Sequence, residues 1–128
     1  MVIDSSAVVA ILEEEPDSEE LLRRLVESSV RRISAAPLLE TAIVLESKSG
    51  EAAGDQLDLF QARGGIVVED VTAEQIQIAR KAWRKFGKGS GHPAGLNYGD
   101  CFSYALAKAF GEELLFKGGD FGKTDVNG

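Results

Sequence analysis

The sequence predicts an α/β fold in which helices cover both faces of a short parallel sheet. Short apolar stretches typical of buried strands alternate with pairs of helical segments, in the order β-α-α-β-α-α-β-α-α-β. This alternation indicates parallel strands, because such strands need long connections that helices supply. The 128 residues are enough for one hydrophobic core, so we expect a single domain over residues 1–128.

Two strands and four helices are predicted in the first half of the chain. The apolar pair Val2-Ile3 and the segment "VRRIS" (30–34) are typical of short strands. The helices are predicted over residues 6–13, from Asp17 onward, over about 37–48 and over about 51–63. Pro16 ends the first helix, and Pro37 lies in the first turn of the third, where proline is favoured. We expect Ser5 and Ser6 to cap the first helix, which would leave the Asp4 carboxylate free.

The second half repeats the pattern around a glycine-rich loop. In order, it is predicted to contain a strand centred on Ile66–Val68, a helix over about Thr72–Phe86, the loop (87–97), a helix over 98–110 and a strand at 113–116. The reactive crevice of such folds lies beyond the carboxyl ends of the strands. Asp4 and Asp120, which follow the first and last strands, are therefore expected at that edge.

Composition excludes several classes of protein. No stretch approaches about 18 uninterrupted apolar residues, and the amino-terminal segment does not resemble an export signal, so we expect no membrane span. One cysteine, Cys101, fits a cytoplasmic protein, and one cysteine with one histidine argues against structural zinc. The net charge of −7 argues against broad nucleic-acid binding, unless several acids surround a cation.

Four acids are candidates for such a cation site. Glu40 lies on a mostly apolar predicted helix face, so we expect it to be partly buried and to need a partner. Asp100 lies in the first turn of its helix and Asp120 in a turn after the last strand, and each position also has an ordinary structural explanation. If these acids converge with Asp4, each pair about 5 Å apart repels by roughly 3 kcal/mol. A cluster with only oxygen ligands favours Mg²⁺ or Mn²⁺, the ions used to hydrolyse phosphodiesters.

Three stretches together resemble the PIN-domain nucleases, and more narrowly the VapC toxins of bacterial toxin–antitoxin pairs. They are "MVIDSSAVVAIL", "PLLETAIVLE" and "GLNYGDCFSYALAKAFGEELLFKGGDF", and the resemblance runs over essentially the whole chain. It implies a PIN-like fold, a three-layer α/β/α sandwich with a short parallel sheet. It also implies Mg²⁺- or Mn²⁺-dependent endoribonuclease activity, a homodimer, inhibition by a small VapB-type antitoxin, and a larger toxin–antitoxin assembly.

The same resemblance assigns roles to individual residues. The metal-site acids of the family carry over to Asp4, Glu40 and Asp100, and Ser6 matches a hydroxyl residue that supports the site by hydrogen bonding. In the assigned mechanism water is the nucleophile and Glu40 completes the site, directly or through water.

One position departs from the family pattern. Many members carry an acid two residues before the Asp-Phe pair, where this chain has Gly118. We assign the fourth acid role to Asp120 and rank Asp125, farther along the chain, below it.

A basic segment precedes the glycine-rich loop and is a candidate RNA-binding rim. We expect Arg80, Arg84, Lys85 and Lys88 to contact phosphates, and the first three, with Lys81, to share one helix face; the alternative is an ordinary solvated face. Trp83, in the same segment, is expected to pack in the core or at an interface rather than to stack on bases.

Two other functions fit parts of the pattern. A phosphatase could use Asp4 as its nucleophile, but such enzymes typically have a second Asp where this chain has Ser6. A catalytically inactive PIN-fold binding module would normally have lost one of the acids. We therefore favour an active, RNA-cleaving enzyme.

Overall fold

Four parallel strands form one sheet in the order β3-β2-β1-β4 in the computed structural model, which describes all residues 1–128. The strands are β1 (Val2–Ile3), β2 (Arg31–Ser34), β3 (Ile66–Glu69) and β4 (Leu114–Leu115). The chain builds outward from β1 through β2 to β3 and then crosses back to place β4 on the other side of β1. This reversal puts the carboxyl ends of β1 and β4 side by side, where open α/β sheets bind ligands.

Six α-helices connect the strands in pairs. They are α1 (Ser5–Leu12), α2 (Ser18–Glu27), α3 (Ala35–Ser49), α4 (Glu51–Arg63), α5 (Ala73–Phe86) and α6 (Tyr98–Phe110), and a short 3₁₀ turn (Phe121–Lys123) follows β4. This order confirms the predicted α/β class and the predicted sequence of elements. None of the helices combines the length and the apolar character needed to cross a membrane.

The sheet separates two hydrophobic cores because alternate strand residues point to opposite faces. Val2 and Leu114 pack with apolar residues of α5 and α6, whereas Ile3 and Leu115 pack with residues of α1 to α4. All four of these strand side chains are fully buried. The result is the three-layer α/β/α arrangement, with α6 held against the sheet beside β1.

Two helix starts differ from the predictions. Helix α1 begins at Ser5, and Asp4 caps it by accepting a hydrogen bond from the Ser6 N–H, so the expected serine cap is wrong. Aspartate is as good a helix cap as serine, and residue 4 already has the extended backbone that a cap needs. Helix α3 begins at Ala35, two residues before the predicted start, which still leaves Pro37 in its first turn.

The two-core packing predicts how leucine truncation affects stability. Leu106 on α6 is 0% exposed and Leu39 on α3 is 62% exposed, so the same substitution removes contacts at only one of them. We expect Leu106→Ala to lower the free energy of unfolding by about 2–5 kcal/mol and Leu39→Ala by less than about 0.5 kcal/mol. Urea unfolding followed by circular dichroism measures both, and equal losses would contradict the packing.

Candidate active site

Asp4 is a buried carboxylate whose two oxygens are both held by hydroxyl donors. It lies directly after β1 and is 2% exposed. Its Oδ2 accepts hydrogen bonds from the Ser6 Oγ (2.7 Å) and the Ser6 N–H (3.0 Å), and its Oδ1 accepts one from the Ser103 Oγ (2.6 Å). A buried carboxylate needs such donors because desolvation is otherwise costly. Asp4 is thus both a helix cap and a fixed acid at the crevice.

Ser6 also connects the chain after β1 to the chain after β4. Its Oγ accepts a hydrogen bond from the Lys117 N–H (3.0 Å) while it donates to Asp4. The Lys117 ammonium pairs with Glu15 and Asp17 on the segment after α1. These two carboxylates are therefore engaged in ion pairs rather than wholly solvated. These contacts anchor the segment that leads into Gly118, Gly119 and Asp120.

Glu40 projects from α3 toward the first turns of α1 and α6. Its Oε1 accepts a hydrogen bond from the Ser5 Oγ (2.9 Å), and a Cβ placed on Gly99 would lie only 2.6 Å from its Oε2. Gly99 therefore lets the carboxylate lie directly against the α6 backbone. The expectation that Glu40 is partly buried on an apolar face is wrong: Glu40 is exposed, and its neighbour Ile43 is 57% exposed.

Asp100 lies in the first turn of α6 and helps to cap this helix. It forms a capping box with Asn97, in which the Asp100 N–H donates to the Asn97 Oδ1 (2.9 Å) and the Asn97 N–H donates to the Asp100 Oδ2 (3.0 Å). Its pKa is raised to about 6, mainly by burial and also by repulsion from Asp4, Asp120 and Glu40, against the lowering effect of the Asn97 bond. The three other candidate acids therefore all contribute to the raised pKa of Asp100.

The two carboxylates of the carboxyl-terminal segment have different surroundings. Asp120 is exposed, makes no capping hydrogen bond to the turn that it precedes, and repels Asp100. Asp125 instead accepts a hydrogen bond from the Tyr104 hydroxyl (2.5 Å) and pairs with the Lys108 ammonium (3.3 Å), which lower its pKa against the effect of burial. Through these two contacts, Asp125 holds the carboxyl-terminal segment against α6.

The side chains of the four candidate acids have the chemistry that a hard divalent cation requires. Asp4, Glu40, Asp100 and Asp120 offer only carboxylate oxygens, which Mg²⁺ and Mn²⁺ prefer. Burial, together with repulsion from the neighbouring carboxylates, raises the pKa of Asp100, and a cation bound here would favour its ionised form. No three of the chain's acidic, histidine or cysteine side chains are already arranged as a complete metal-binding group.

The basic segment divides between two sides of α5. Arg80 and Arg84 line a groove between α5 and α6, whereas Lys85 lines a second groove that includes Asp125. The single shared face expected for these residues is therefore wrong. All three, and Lys88 in the following loop, are exposed and form no ion pair. Trp83 is 45% exposed, so it does not lie in the core, and packing at an interface, the other expected environment, stays a prediction.

The sequence interpretation missed two hydroxyl groups at the site. Ser103 is fully buried and holds Asp4, and Ser5 holds Glu40. Ser103 had a detectable signal: it lies three residues after Asp100 in a helix whose following residues are apolar. A polar residue among core positions of a helix indicates a buried partner.

Comparisons with known proteins agree with this architecture. The family model described as "PIN domain" matches residues 1–127. The chain is 56% identical to Ribonuclease VapC of Mycolicibacterium smegmatis, over 98% of this chain and 97% of the relative. It is 51% identical to Ribonuclease VapC30 of Mycobacterium tuberculosis, over 98% and 95% of the two chains. The crystal structure of M. tuberculosis VapC20, a toxin that cleaves the sarcin–ricin loop, superposes with a TM-score of 0.77 at 20% identity, covering 98% of this chain and 95% of that one.

The raised pKa of Asp100 predicts how stability depends on pH. The pKa is about 6 in the folded protein and 3.8 for an ordinary aspartate. Between these values the folded state binds more protons than the unfolded state, so the free energy of unfolding falls as pH rises through this window. Because Asp100 is only partly buried and solvent screens its charge, we expect Asp100→Asn to raise this free energy near neutral pH by about 1 kcal/mol, with the gain vanishing below the lower pKa.

Urea unfolding in a metal-chelating buffer across this pH range measures the effect. Asp58→Asn, an exposed change on α4, is the matched control and should show no pH-dependent gain. A constant difference between Asp100→Asn and wild type at all pH values would contradict the electrostatic coupling.

Proposed function

The chain belongs to the PIN domain family, and on that basis we propose that it is a Mg²⁺- or Mn²⁺-dependent endoribonuclease toxin of the VapC type. The observation that carries the proposal is the Asp4 carboxylate, which is buried directly after β1 and is held by Ser6 and by Ser103 of α6, the helix that bears Asp100. Two relatives that are 56% and 51% identical to this chain are named ribonuclease, which supports RNA cleavage as the reaction.

Each acid has a proposed role in the site. Asp4, Asp100 and Asp120 hold the cation, and Glu40 completes the site directly or through water. Ser6 and Ser103 orient Asp4 by donating to its two oxygens, and supporting contacts of this kind keep a ligand in position for the metal.

The proposed reaction is hydrolysis of an RNA phosphodiester by water. A Mg²⁺ or Mn²⁺ ion held by Asp4, Asp100 and Asp120 would supply water activation and stabilisation of charge on the leaving oxygen. Glu40 is exposed, and its Oε1 accepts from Ser5, so we assign the orientation of the attacking water to its second oxygen, Oε2. Covalent catalysis is disfavoured because the one histidine, His92, accepts a loop N–H through its Nδ1 and packs against Phe86.

The four exposed cations near the glycine-rich loop support RNA docking. Arg80, Arg84, Lys85 and Lys88 form no ion pairs, so their charges are available to phosphates in a chain of net charge −7. We assign them to phosphate contacts on both sides of α5.

The proposed partners follow from the VapC type. The chain would act in the cytoplasm as a homodimer, neutralised by a VapB-type antitoxin within a larger toxin–antitoxin assembly. The names of the relatives support this partner class.

The competing functions are less well supported. In a phosphatase that uses Asp4 as nucleophile, the residue two positions on would normally be a second aspartate. Here Ser6 donates to Asp4 through both its side chain and its backbone. An inactive binding module would not need Asp120 and Glu40, whose charges repel Asp100 and which cap no helix.

Removing one proposed ligand is expected to abolish cleavage without unfolding the protein. Asp4→Asn keeps a helix-capping oxygen and removes the negative charge, so it should lower Mn²⁺-dependent RNA cleavage roughly 100-fold or more. Incubating total RNA with purified protein and sequencing the new 5′ ends measures activity and target together.

The control for that experiment is Asp58→Asn, which removes a carboxylate from the exposed face of α4. It should cleave at the wild-type rate, and both variants should keep the wild-type circular dichroism spectrum. Full activity of folded Asp4→Asn would contradict the proposed metal site.

A further inference from the structure

Helix α6 carries a glycine in its first turn where the backbone does not require one. Gly99 is the second residue of α6 and is helical, whereas seven other glycines of the chain lie at positive φ. A glycine inside a helix is less favourable than an alanine, because it loses more backbone freedom on folding. Neither a turn nor helix propensity therefore explains Gly99, and the explanation must lie in what it contacts.

The contact is the carboxylate of Glu40, which approaches from α3. A Cβ on Gly99 would lie 2.6 Å from the Glu40 Oε2, 2.8 Å from its Oε1 and 3.0 Å from its Cδ. These atoms make up the whole carboxylate group, so the group lies directly against a bare Cα. Any side chain at position 99 would overlap Glu40 and would force its carboxylate to move.

Glu40 is also held from a second direction. Its Oε1 accepts a hydrogen bond from the Ser5 Oγ (2.9 Å), at the start of α1. An exposed glutamate is otherwise mobile, because its long side chain has several rotatable bonds. The contacts with Ser5 and Gly99 therefore fix the carboxylate where α1, α3 and α6 meet, next to the residue that follows Gly99, Asp100.

We propose that Gly99 is a positioning residue for Glu40, and that its missing side chain gives the carboxylate the place from which Oε2 orients the attacking water. The proposal rests on the proposed ribonuclease function and deepens it. It assigns the placement of the water-orienting acid to a residue that has no side-chain chemistry of its own. A group fixed before the reaction needs no reorganisation when the substrate binds.

The substitution Gly99→Ala tests this role without removing any charge. Because Glu40 is exposed, its displaced carboxylate can rotate into water at little cost to folding, and alanine favours the helix. The midpoint of urea unfolding should therefore stay the same or rise. Mn²⁺-dependent cleavage should fall about 10- to 100-fold, the range for loss of a supporting contact.

The kinetic form of the loss distinguishes positioning from binding. The substrate is an RNA oligonucleotide that spans a cleavage site found by sequencing the new 5′ ends. The loss should appear in kcat and leave KM unchanged, because Glu40 is assigned to the water and not to RNA binding. A loss confined to KM would contradict the proposed role.

A double-mutant cycle tests whether Gly99 acts through Glu40. In a Glu40→Gln background the water-orienting charge is already absent, so adding Gly99→Ala should lower kcat by less than about 2-fold. A further loss as large as in the wild-type background would show that Gly99 acts by another route and would overturn the proposal.

A readout that does not depend on activity is the crystal structure of metal-free Gly99→Ala. It should show the Glu40 carboxylate displaced by about 1 Å or more, the shift that restores an ordinary van der Waals distance. An unmoved carboxylate would overturn the proposal.

The chain offers a matched control in α4. A Cβ on Gly54 would lie 2.7 Å from the Glu46 Oε2 and 2.8 Å from its Cδ, so Gly54→Ala also displaces an exposed α3 carboxylate. Glu46 is not one of the candidate acids. Gly54→Ala should therefore keep the wild-type kcat, and equal losses from the two alanine variants would contradict a specific role for Gly99.

The outcomes separate this role from the nuclease itself. Cleavage at the same rate by wild type and Gly99→Ala would support the nuclease and contradict the role of Gly99. So would a loss of activity that accompanies a lowered unfolding midpoint, since Gly99 would then serve folding. A folded wild-type protein that cleaves no RNA with Mn²⁺ would contradict the proposed function, and the role of Gly99 in the reaction would fail with it.

Discussion

The hydrogen-bonded Asp4 carboxylate is the interaction on which the rest of the site depends. It caps α1, accepts from Ser103 on α6, and through Ser6 is connected to the backbone after β4. Three segments distant in sequence are thereby brought to one crevice. Because burial of an unpartnered carboxylate would be costly, these hydroxyl donors allow a charge to lie beneath the point where β1 and β4 end.

The cluster built around Asp4 opposes stability. Burial, together with repulsion from the neighbouring carboxylates, raises the pKa of Asp100 to about 6, so its ionised form is a charge that the surrounding groups do not stabilise. Uncompensated charge of this kind is typical of functional sites, where structure is kept for chemistry rather than for stability. Asp125 shows the contrast, because Tyr104 and Lys108 satisfy it and it stabilises the tail.

Most of the fold was predictable because strand and helix periodicities differ and because paired helices enforce parallel strands. The side-chain environments were less predictable. Asp4 was expected to leave capping to Ser5 and Ser6, although an aspartate can cap a helix and face a site at once. Glu40 is exposed, and Arg84 and Lys85 line different grooves, because of where α3 and α5 contact neighbouring helices. Helical periodicity in the sequence does not indicate these tertiary contacts.

The central claim is that Asp4, Glu40, Asp100 and Asp120 form one cation site to which Asp125 does not belong. Isothermal titration calorimetry of Mn²⁺ into the purified protein tests it directly, with Asp120→Asn compared against Asp125→Asn. The account predicts that Asp120→Asn weakens Mn²⁺ binding about 10-fold or more while Asp125→Asn leaves it unchanged. Equal binding by wild type and Asp120→Asn, or loss of binding in Asp125→Asn alone, would contradict it.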